Sequence, residues 1–302
     1  MVNQIVISVQ NLRKEYGSLK AVDDISFEVK QGEIFGIVGP NGAGKTTTIE
    51  CMEGLRKPDS GTIQILGLNP ERQGQKLREK IGVQLQESAL QSHLKVWEAL
   101  DLFASFYVEP VDWNELLEQL NLSDKKNASF KKLSGGQKQR LFIALSLIND
   151  PEIVFFDELT TGLDPQARHN MWDMVRNIRD QGKTVLLTTH FMEEAERLCD
   201  RVAIIDHGKI VALDSPENLI QKLDAENRVV FTANGDFDGK CLNDLKVVTK
   251  VDQIGERWIV YGQGDRLVVD VVNALASNGI NFRDLRTEQP NLEDVFLTLT
   301  GR

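Results

Sequence analysis

Apolar side chains along the first 220 residues follow two spacings, one typical of strands and one typical of helices. Apolar and polar residues alternate from Ile5 to Val9 and from Ile25 to Val29, as in strands with one buried face. The runs 34–38, 153–156 and 184–188 are instead apolar on both faces, which is typical of buried parallel strands. We therefore expect a sheet whose central strands are covered on both sides.

Helical spacing separates these strands. The predicted helices are 46–52, 96–120 (one helical region), 137–148, 171–181 and 192–199. Further strands are predicted at 62–66, 202–206 and 209–213. Buried strands that alternate with helices predict an α/β fold with a mixed, mainly parallel sheet and helices on both of its faces.

A different pattern begins near residue 225. Strands are predicted at 228–233, 246–251, 257–261 and 281–286, and helices at 266–277 and 292–299. Consecutive strands without intervening helices favour a small α+β arrangement. We therefore divide the chain into a larger domain, 1–220, and a small C-terminal α+β domain, 225–302.

Composition and charge narrow the class of protein. The 302 residues carry a formal net charge of -10, and nonspecific nucleic-acid binding relies on a basic surface, so no nucleic-acid partner is expected. The three cysteines have no metal-ligand spacing, which fits a reduced cytosolic compartment. We expect no signal peptide, and no apolar run approaches the roughly 20 residues that cross a bilayer. At a membrane, another polypeptide would have to do the spanning.

Residues 39–46 read GPNGAGKT, the spacing of a phosphate-binding loop between a strand and a helix. Its glycines allow backbone N–H groups to point inward at phosphate oxygens. Lys45 is expected to reach the β- and γ-phosphates of a nucleotide, and Thr46 to hold Mg²⁺. The predicted nucleotide-binding residues of this loop are Gly39, Pro40, Asn41, Gly42, Ala43, Gly44, Lys45, Thr46 and Thr47.

Two adjacent carboxylates follow the second buried strand. Asp157 is predicted to hold Mg²⁺, and Glu158 to polarise the attacking water as general base. The alternative is an acidic strand end that caps a helix. The phosphate loop upstream favours the catalytic interpretation.

Residues 133–137 read LSGGQ at the start of a predicted helix. Ser134 offers a hydroxyl, Gly135 and Gly136 allow close backbone approach, and a helix N-terminus favours an anion. A flexible linker that caps the helix would explain the glycines but not the flanking leucine and glutamine. The segment is therefore a second candidate phosphate contact.

Together, these three motifs resemble the ATP-binding subunits of ABC transporters, from about Ile5 to Leu219. The resemblance implies an ABC-type P-loop NTPase fold with a helical subdomain, and ATP and Mg²⁺ as cofactors. It also implies that Ser134, Gly135, Gly136 and Gln137 of one subunit cover the ATP held by a second subunit, identical or paralogous. The chain would then be an ATPase at the cytoplasmic face of the membrane, driving an integral membrane permease.

Four more positions match the family one by one. Tyr16 resembles the aromatic residue that stacks on adenine, and His190 the histidine that contacts the γ-phosphate. Gln86 resembles the glutamine that touches Mg²⁺ or the attacking water and links the site to the permease; Gln84 lies near it but is less well spaced. Asp164 resembles the residue that crosses the dimer seam, and it could equally cap a helix. Catalytic roles are thus expected for Lys45, Gln86, Glu158 and His190.

Two features modify the resemblance. The family usually has proline after the catalytic glutamate, whereas Leu159 stands here, which could change how the Glu158 carboxylate is held. The segment 291–296 resembles the C-terminal extension of ATPases paired with exporters of drugs, antibiotics, lipids or polysaccharides. We therefore expect an exporter ATPase. The alternatives are an importer ATPase, a soluble ABC ATPase of translation or DNA repair, and an inactive regulator.

Overall fold

The computed structural model describes residues 4–84, 90–223, 226–233, 237–264 and 266–301. The chain divides into two compact units, Met1–Pro216 and Glu217–Arg302. Each unit has a hydrophobic core of its own. None of the helices in the described ranges is both long enough and apolar enough to cross a membrane.

The first unit contains nine strands and seven complete α-helices within the described ranges. Its strands are β1 Ile5–Tyr16, β2 Leu19–Lys30, β3 Ile34–Val38, β4 Ser60–Ile65, β5 Ile81–Gln84, β6 Ile153–Asp157, β7 Thr184–Thr189, β8 Arg201–Asp206 and β9 Lys209–Asp214. Its helices are α1 Lys45–Met52, α2 Pro70–Arg78, α3 Val96–Ala104, α4 Trp113–Gln119, α5 Gly135–Leu147, α6 Pro165–Asp180 and α7 Met192–Leu198. Helix α8, Pro216–Lys222, begins at the boundary with the second unit.

The central sheet of the first unit has six strands in the order β5-β6-β7-β3-β8-β9. All neighbours are parallel except β8 and β9, which are antiparallel. Every residue of β3, β6 and β7 is buried, as their two-sided apolar patterns predict. The predicted mixed, mainly parallel α/β sheet is confirmed.

A separate antiparallel sheet of three strands has the order β2-β1-β4. Strands β1 and β2 are 12 residues each and pair from Ile5 with Lys30 to Tyr16 with Leu19. The sequence predicted much shorter strands here. Asn11, with φ 50, lies at a shift in register between Val9 and Leu12, and this bulge interrupts the alternation on which the prediction depended.

The helices differ from the prediction in three places. The helical region predicted at 96–120 is two helices, α3 and α4, separated by a segment that contains Pro110. Helix α2 was not predicted, because only Pro70 and Leu77 are buried and the apolar pattern is correspondingly weak. Helix α6 begins at Pro165 rather than at the predicted Met171. Asp164 caps it, because its carboxylate accepts a hydrogen bond from the backbone N–H of Ala167 at 2.8 Å.

Helix α5 packs very closely on strand β5. A Cβ atom at Gly82 would lie 1.9 Å from the backbone oxygen of Ser146, so only glycine permits this approach. Just after α5, the Asn149 side-chain amide donates to the backbone oxygen of Ile81 at 3.0 Å. The helix and the strand are thus joined by contact and by hydrogen bonding.

In its described residues, the second unit has an antiparallel sheet in the order β11-β12-β10-β13 and three further helices. Its elements are β10 Asn227–Ala233, α9 Lys240–Asn243, β11 Val248–Ile254, β12 Arg257–Gly262, α10 Leu267–Ser277, β13 Phe282–Glu288 and α11 Leu292–Thr300. Phe231, Trp258 and Val260 lie in its core. The four-residue helix α9 was too short for the sequence pattern to show.

Candidate active site

The loop between β3 and α1 folds back on itself as a cradle of backbone groups. Gly39 and Gly44 have positive φ angles of 159° and 107°. A Cβ atom would lie 2.1 Å from the Ile205 oxygen at the first position and 2.2 Å from the Ala21 oxygen at the second. The Ala43 N–H donates to the Pro40 oxygen at 3.2 Å, which closes the loop.

Lys45 begins α1 and reaches back across this loop. Its Nζ donates to the backbone oxygens of Gly39 at 2.9 Å and Pro40 at 3.1 Å. Burial lowers the pKa of Lys45, and the nearby carboxylates of Glu158 and Asp157 oppose that effect. The ammonium group is therefore held at the centre of the cradle, where a phosphate oxygen could replace the carbonyls as its partner.

The Asp157 carboxyl is buried at the end of β6. It accepts hydrogen bonds from the Thr188 hydroxyl of β7 and from the Thr46 hydroxyl. Burial raises the pKa of Asp157 while these two hydrogen bonds oppose the shift, and the neighbouring Glu158 raises it further. Thr46 and Asp157 thus place two oxygen atoms side by side at the mouth of the phosphate loop.

Glu158 follows Asp157 with an unusual backbone conformation. Its φ is 50°, in the left-handed region, and its N–H donates to the Thr188 side-chain oxygen at 3.1 Å. One carboxylate oxygen, Oε1, lies 3.6 Å from Lys45 Nζ and 3.3 Å from His190 Nδ1. The other, Oε2, accepts from the Thr161 hydroxyl at 3.2 Å. The carboxylate is therefore buried between a cation, an imidazole and a hydroxyl.

A cavity of about 410 Å³ opens over the loop and brings together eight of the predicted site residues, while His190 and Asp157 lie outside its lining. Its lining contains Tyr16, Leu19, Ala21, Asn41, Gly42, Gly44, Lys45, Thr46, Thr47 and Glu158. Tyr16 lies at the end of β1 and is 40% exposed, with Arg56 5.4 Å and Lys14 5.7 Å from its ring centre. An exposed aromatic ring beside a phosphate cradle can stack on a nucleobase.

The LSGGQ segment is not part of this cavity's lining. Ser134 caps α5 by accepting from the Gln137 N–H at 3.3 Å, and the Gln137 side chain accepts from the Ser134 N–H at 3.0 Å. A Cβ atom on Gly135 would lie 3.8 Å from a methyl carbon of Leu163, and one on Gly136 would lie 3.8 Å from Cβ of Ala167. Both positions therefore have space for a side-chain carbon. Asp164 also serves as a helix cap, as one of its two predicted readings required.

Sequence reasoning missed several residues of the site. Leu19 and Ala21 line the cavity from β2, and Thr188 and Thr161 orient the paired carboxylates. The one available signal was Leu19, an apolar residue directly after a turn, which is 64% exposed. Gln86 lies outside the described residues, so its contacts stay a prediction.

Fold and site together define a P-loop nucleotide-binding protein. Residues 22–161 match the pattern of the ABC transporter family. Two curated relatives are named Nod factor export ATP-binding protein I. The one from Ralstonia nicotianae is 40% identical over 98% of this chain and 94% of its own length; the one from Rhizobium etli is 39% identical over 98% and 93%. The chain belongs to the ABC transporter family, as an ATP-binding subunit.

Solved structures agree with this assignment. An ATP binding subunit of an ABC transporter aligns with a TM-score of 0.65 and 28% identity, over 72% of this chain and 93% of that one. The cbiO1 protein of Clostridium perfringens, part of the transporter complex cbiONQ, aligns with a TM-score of 0.65 and 27% identity, over 73% and 94%. A dimeric bacterial ABC transporter cassette aligns with a TM-score of 0.62 and 27% identity, over 69% and 98%.

Proposed function

We propose that the chain binds Mg-ATP in the 410 Å³ cavity and hydrolyses it with Glu158 as general base. The observation that carries this proposal is the position of Glu158 Oε1, between Lys45 Nζ at 3.6 Å and His190 Nδ1 at 3.3 Å, on the wall of the cavity. A carboxylate held in this way can accept a proton from a water that attacks the γ-phosphate. Lys45 and His190 then stabilise the negative charge that develops on the transferred group.

ATP binding exchanges partners around Lys45. The ammonium group leaves the carbonyls of Gly39 and Pro40 and donates to β- and γ-phosphate oxygens, while backbone N–H groups of the loop take the remaining oxygens. Adenine stacks on Tyr16 at the other end of the cavity. This arrangement fixes both ends of the nucleotide with respect to Glu158.

The residues at the loop mouth fit Mg²⁺. Thr46 and Asp157 present two adjacent hard oxygen ligands, and Mg²⁺ usually takes one or two protein ligands and fills its octahedron with phosphate oxygens and water. Within the described residues, no cluster of three or more His, Cys, Asp or Glu competes for a metal. When bound, the ion would neutralise the β- and γ-phosphate charges.

The active unit is proposed to be a dimer. Ser134, Gly135, Gly136 and Gln137 begin α5 outside the cavity of their own chain, with their helix N-terminus available to an anion. In a head-to-tail pair they would cover the ATP of the partner, with Asp164 at the seam. The dimeric cassette among the solved structures supports the formation of a dimer.

We propose further that hydrolysis drives an integral membrane permease, and that the direction is export. The support is the name of the two curated relatives, which describes Nod factor export, and their similarity over both units of this chain. This proposal does not require the transported cargo to contact any of the described residues. The proposal includes the second unit, because the similarity to these relatives extends over both units.

Reconstitution with a candidate permease tests the function. The expected result is Mg-dependent ATP hydrolysis that rises when the permease is present in lipid vesicles, together with ATP-dependent movement of cargo out of the compartment that holds the ATPase. ATP turnover without any response to the permease would contradict transport, and movement in the opposite direction would contradict export.

A further inference from the structure

Tyr16, the proposed adenine contact, lies beside two cations. Arg56 Cζ is 5.4 Å and Lys14 Nζ is 5.7 Å from the centre of its ring. Among the described residues, Tyr16 belongs to the lining of the 410 Å³ cavity, whereas Arg56 and Lys14 do not. The two cations therefore approach the ring from outside the cavity, and its cavity side is left for a nucleobase.

A carboxylate holds each of these cations. Arg56 Nε donates to Glu50 Oε2 at 2.6 Å. Lys14 Nζ donates to Asp59 Oδ1 at 2.8 Å, and Asp59 Oδ2 also accepts from the backbone N–H of Glu15 at 2.6 Å. A side chain with such a partner samples fewer positions than a free one, so both cations are oriented before a nucleotide binds.

Helix α1 connects the Arg56 side chain to the phosphate loop. The helix begins with Lys45 and includes Glu50. The backbone N–H groups of Leu55 and Arg56 both donate to the Glu50 backbone oxygen, at 2.9 and 3.1 Å. Eight helical residues span about 12 Å, so one short, rigid element joins the phosphate end of the cavity to the cation that contacts Tyr16.

Stability alone does not account for the Arg56–Glu50 pair. The two side chains are 40% and 24% exposed, and pairs this open to water are weak because water and salt screen them. A cation over an aromatic face is attracted by the ring electrons and restricts where the ring can lie. A ring that is already ordered loses less freedom when a base stacks on it. The effect of Arg56 should therefore appear in nucleotide affinity.

We propose that Arg56 is a positioning residue for nucleotide binding: its guanidinium, oriented by Glu50, holds the Tyr16 ring in the place where adenine stacks. Lys14 is the second cation that restricts the same ring. This inference rests on the proposed function. It requires that Arg56 act through Tyr16, and that it contribute to the binding of the base rather than to hydrolysis.

Equilibrium binding of ATP to matched variants tests the proposal. ATP is titrated by calorimetry in EDTA, which prevents Mg-dependent hydrolysis, into wild type, Arg56→Met, Arg56→Lys and the control Arg13→Met. Arg13 lies on the same strand as Tyr16 and pairs with Asp24 at 3.5 Å. We expect Kd to rise about threefold to fivefold for Arg56→Met and less for Arg56→Lys, which keeps a cation. The control should stay within about 1.5-fold of wild type.

A double-mutant cycle shows whether Arg56 acts through the ring. Tyr16→Ala alone should raise the Kd for ATP about fivefold or more, because the stacking partner of the base is lost. Adding Arg56→Met to Tyr16→Ala should change Kd by less than about 1.5-fold, since no ring is left to position. The same loss from Arg56→Met in both backgrounds would overturn the proposal. A Kd for Arg56→Met within about 1.5-fold of wild type would also overturn it.

Steady-state turnover separates positioning from a damaged fold. For Arg56→Met, KM for Mg-ATP should rise as Kd does, while kcat stays within about twofold of wild type. The unfolding midpoint should stay close to that of wild type, because an exposed ion pair contributes little. A lower kcat together with a lower midpoint would contradict the positioning role. Wild type that binds no ATP, or ATP binding that survives Lys45→Ala unchanged, would instead count against the proposed function.

Discussion

At the scale of one residue, Glu158 combines a strained backbone conformation with the proposed role of general base. Its left-handed φ of 50° costs roughly 1–2 kcal/mol for a residue with a side chain. Two contacts to Thr188, from the backbone N–H to the oxygens at 3.1 and 3.2 Å, hold this conformation. The carboxylate is thereby held between Lys45 and His190.

Glu158→Gln should bind ATP, form a stable ATP dimer and lose about a hundredfold to ten-thousandfold in turnover, because the amide fills the same space but accepts no proton. Steady-state phosphate release and light scattering measure the two effects. Glu193→Gln, an exposed change on α7, is the matched control and should behave as wild type. Undiminished phosphate release by Glu158→Gln would remove it as the base.

Glu53 should make stability depend on pH. Its folded pKa of about 8 lies above the ordinary 4.5, so the folded chain retains a proton that the unfolded chain has lost between these values. The contribution of Glu53 to stability is therefore complete below pH 4.5 and is lost as the pH rises to about 8. Urea unfolding from pH 5.5 to 8.5 should show Glu53→Gln gaining on wild type as the pH rises. Parallel curves for the two proteins would contradict the shifted pKa.

Residue chemistry was predictable where it follows from a local motif. Lys45, Thr46 and Thr47 line the cavity because the loop spacing fixes their place, and Tyr16 joins them at the end of β1. The contacts of Thr188 were not predictable, because they depend on the pairing of β7 with β6. The burial of Glu53 was not predictable either, because segments distant in the sequence produce it. Pairing of remote strands leaves no signal in a single sequence.

At the scale of elements, α5 has both a structural and a proposed chemical task at its N-cap residue. Ser134 closes a capping box with Gln137, so its hydroxyl is already used in the free chain. A cap contributes about 1 kcal/mol, and a phosphate contact would be added when the partner's ATP arrives. The two tasks can be separated by choosing substitutes that cap equally well.

Ser134→Asn and Ser134→Asp form such a pair, because both residues are good helix caps. Both variants should melt close to wild type. In the Glu158→Gln background the Asn variant should retain most of the ATP dimer, whereas the Asp variant should lose it through repulsion of the γ-phosphate. Sedimentation with and without Mg-ATP gives the dimer fraction. Equal dimer fractions for Asn and Asp would show that Ser134 does not face a phosphate.

Element types were more predictable than element boundaries. Two-sided apolar runs identified β3, β6 and β7 because buried parallel strands have no polar face. The long hairpin of β1 and β2 was underestimated at its bulges, and α2 escaped because it buries so little. Prediction from the sequence fails where an element forms because of a packing neighbour or a helix cap.

At the scale of the whole molecule, the two units have separate cores, and the proposed ATP cavity is lined by the first unit alone. Calorimetry should therefore show that Mg-ATP raises the melting temperature of a transition assigned to the first unit. Val260→Ala, which removes buried methyl groups from the second core, should lower only the other transition. A single transition that responds equally to ATP and to Val260→Ala would contradict independent cores.

ATP turnover by the isolated chain should rise faster than in proportion to its concentration. The reason is that each proposed site is completed by a second copy, so the active fraction grows with dimer formation. Phosphate release over a hundredfold range of protein concentration measures the dependence. Specific activity that stays constant over this range, with monomeric protein throughout, would contradict the shared site.

The missing side chain at Gly82 has a mechanical consequence. With no room for even a methyl group between β5 and α5, neither can slide past the other without breaking backbone contact. We therefore expect the strand that ends at Gln84 and the helix that begins at Gly135 to move together. A displacement of one element would then be passed to the other.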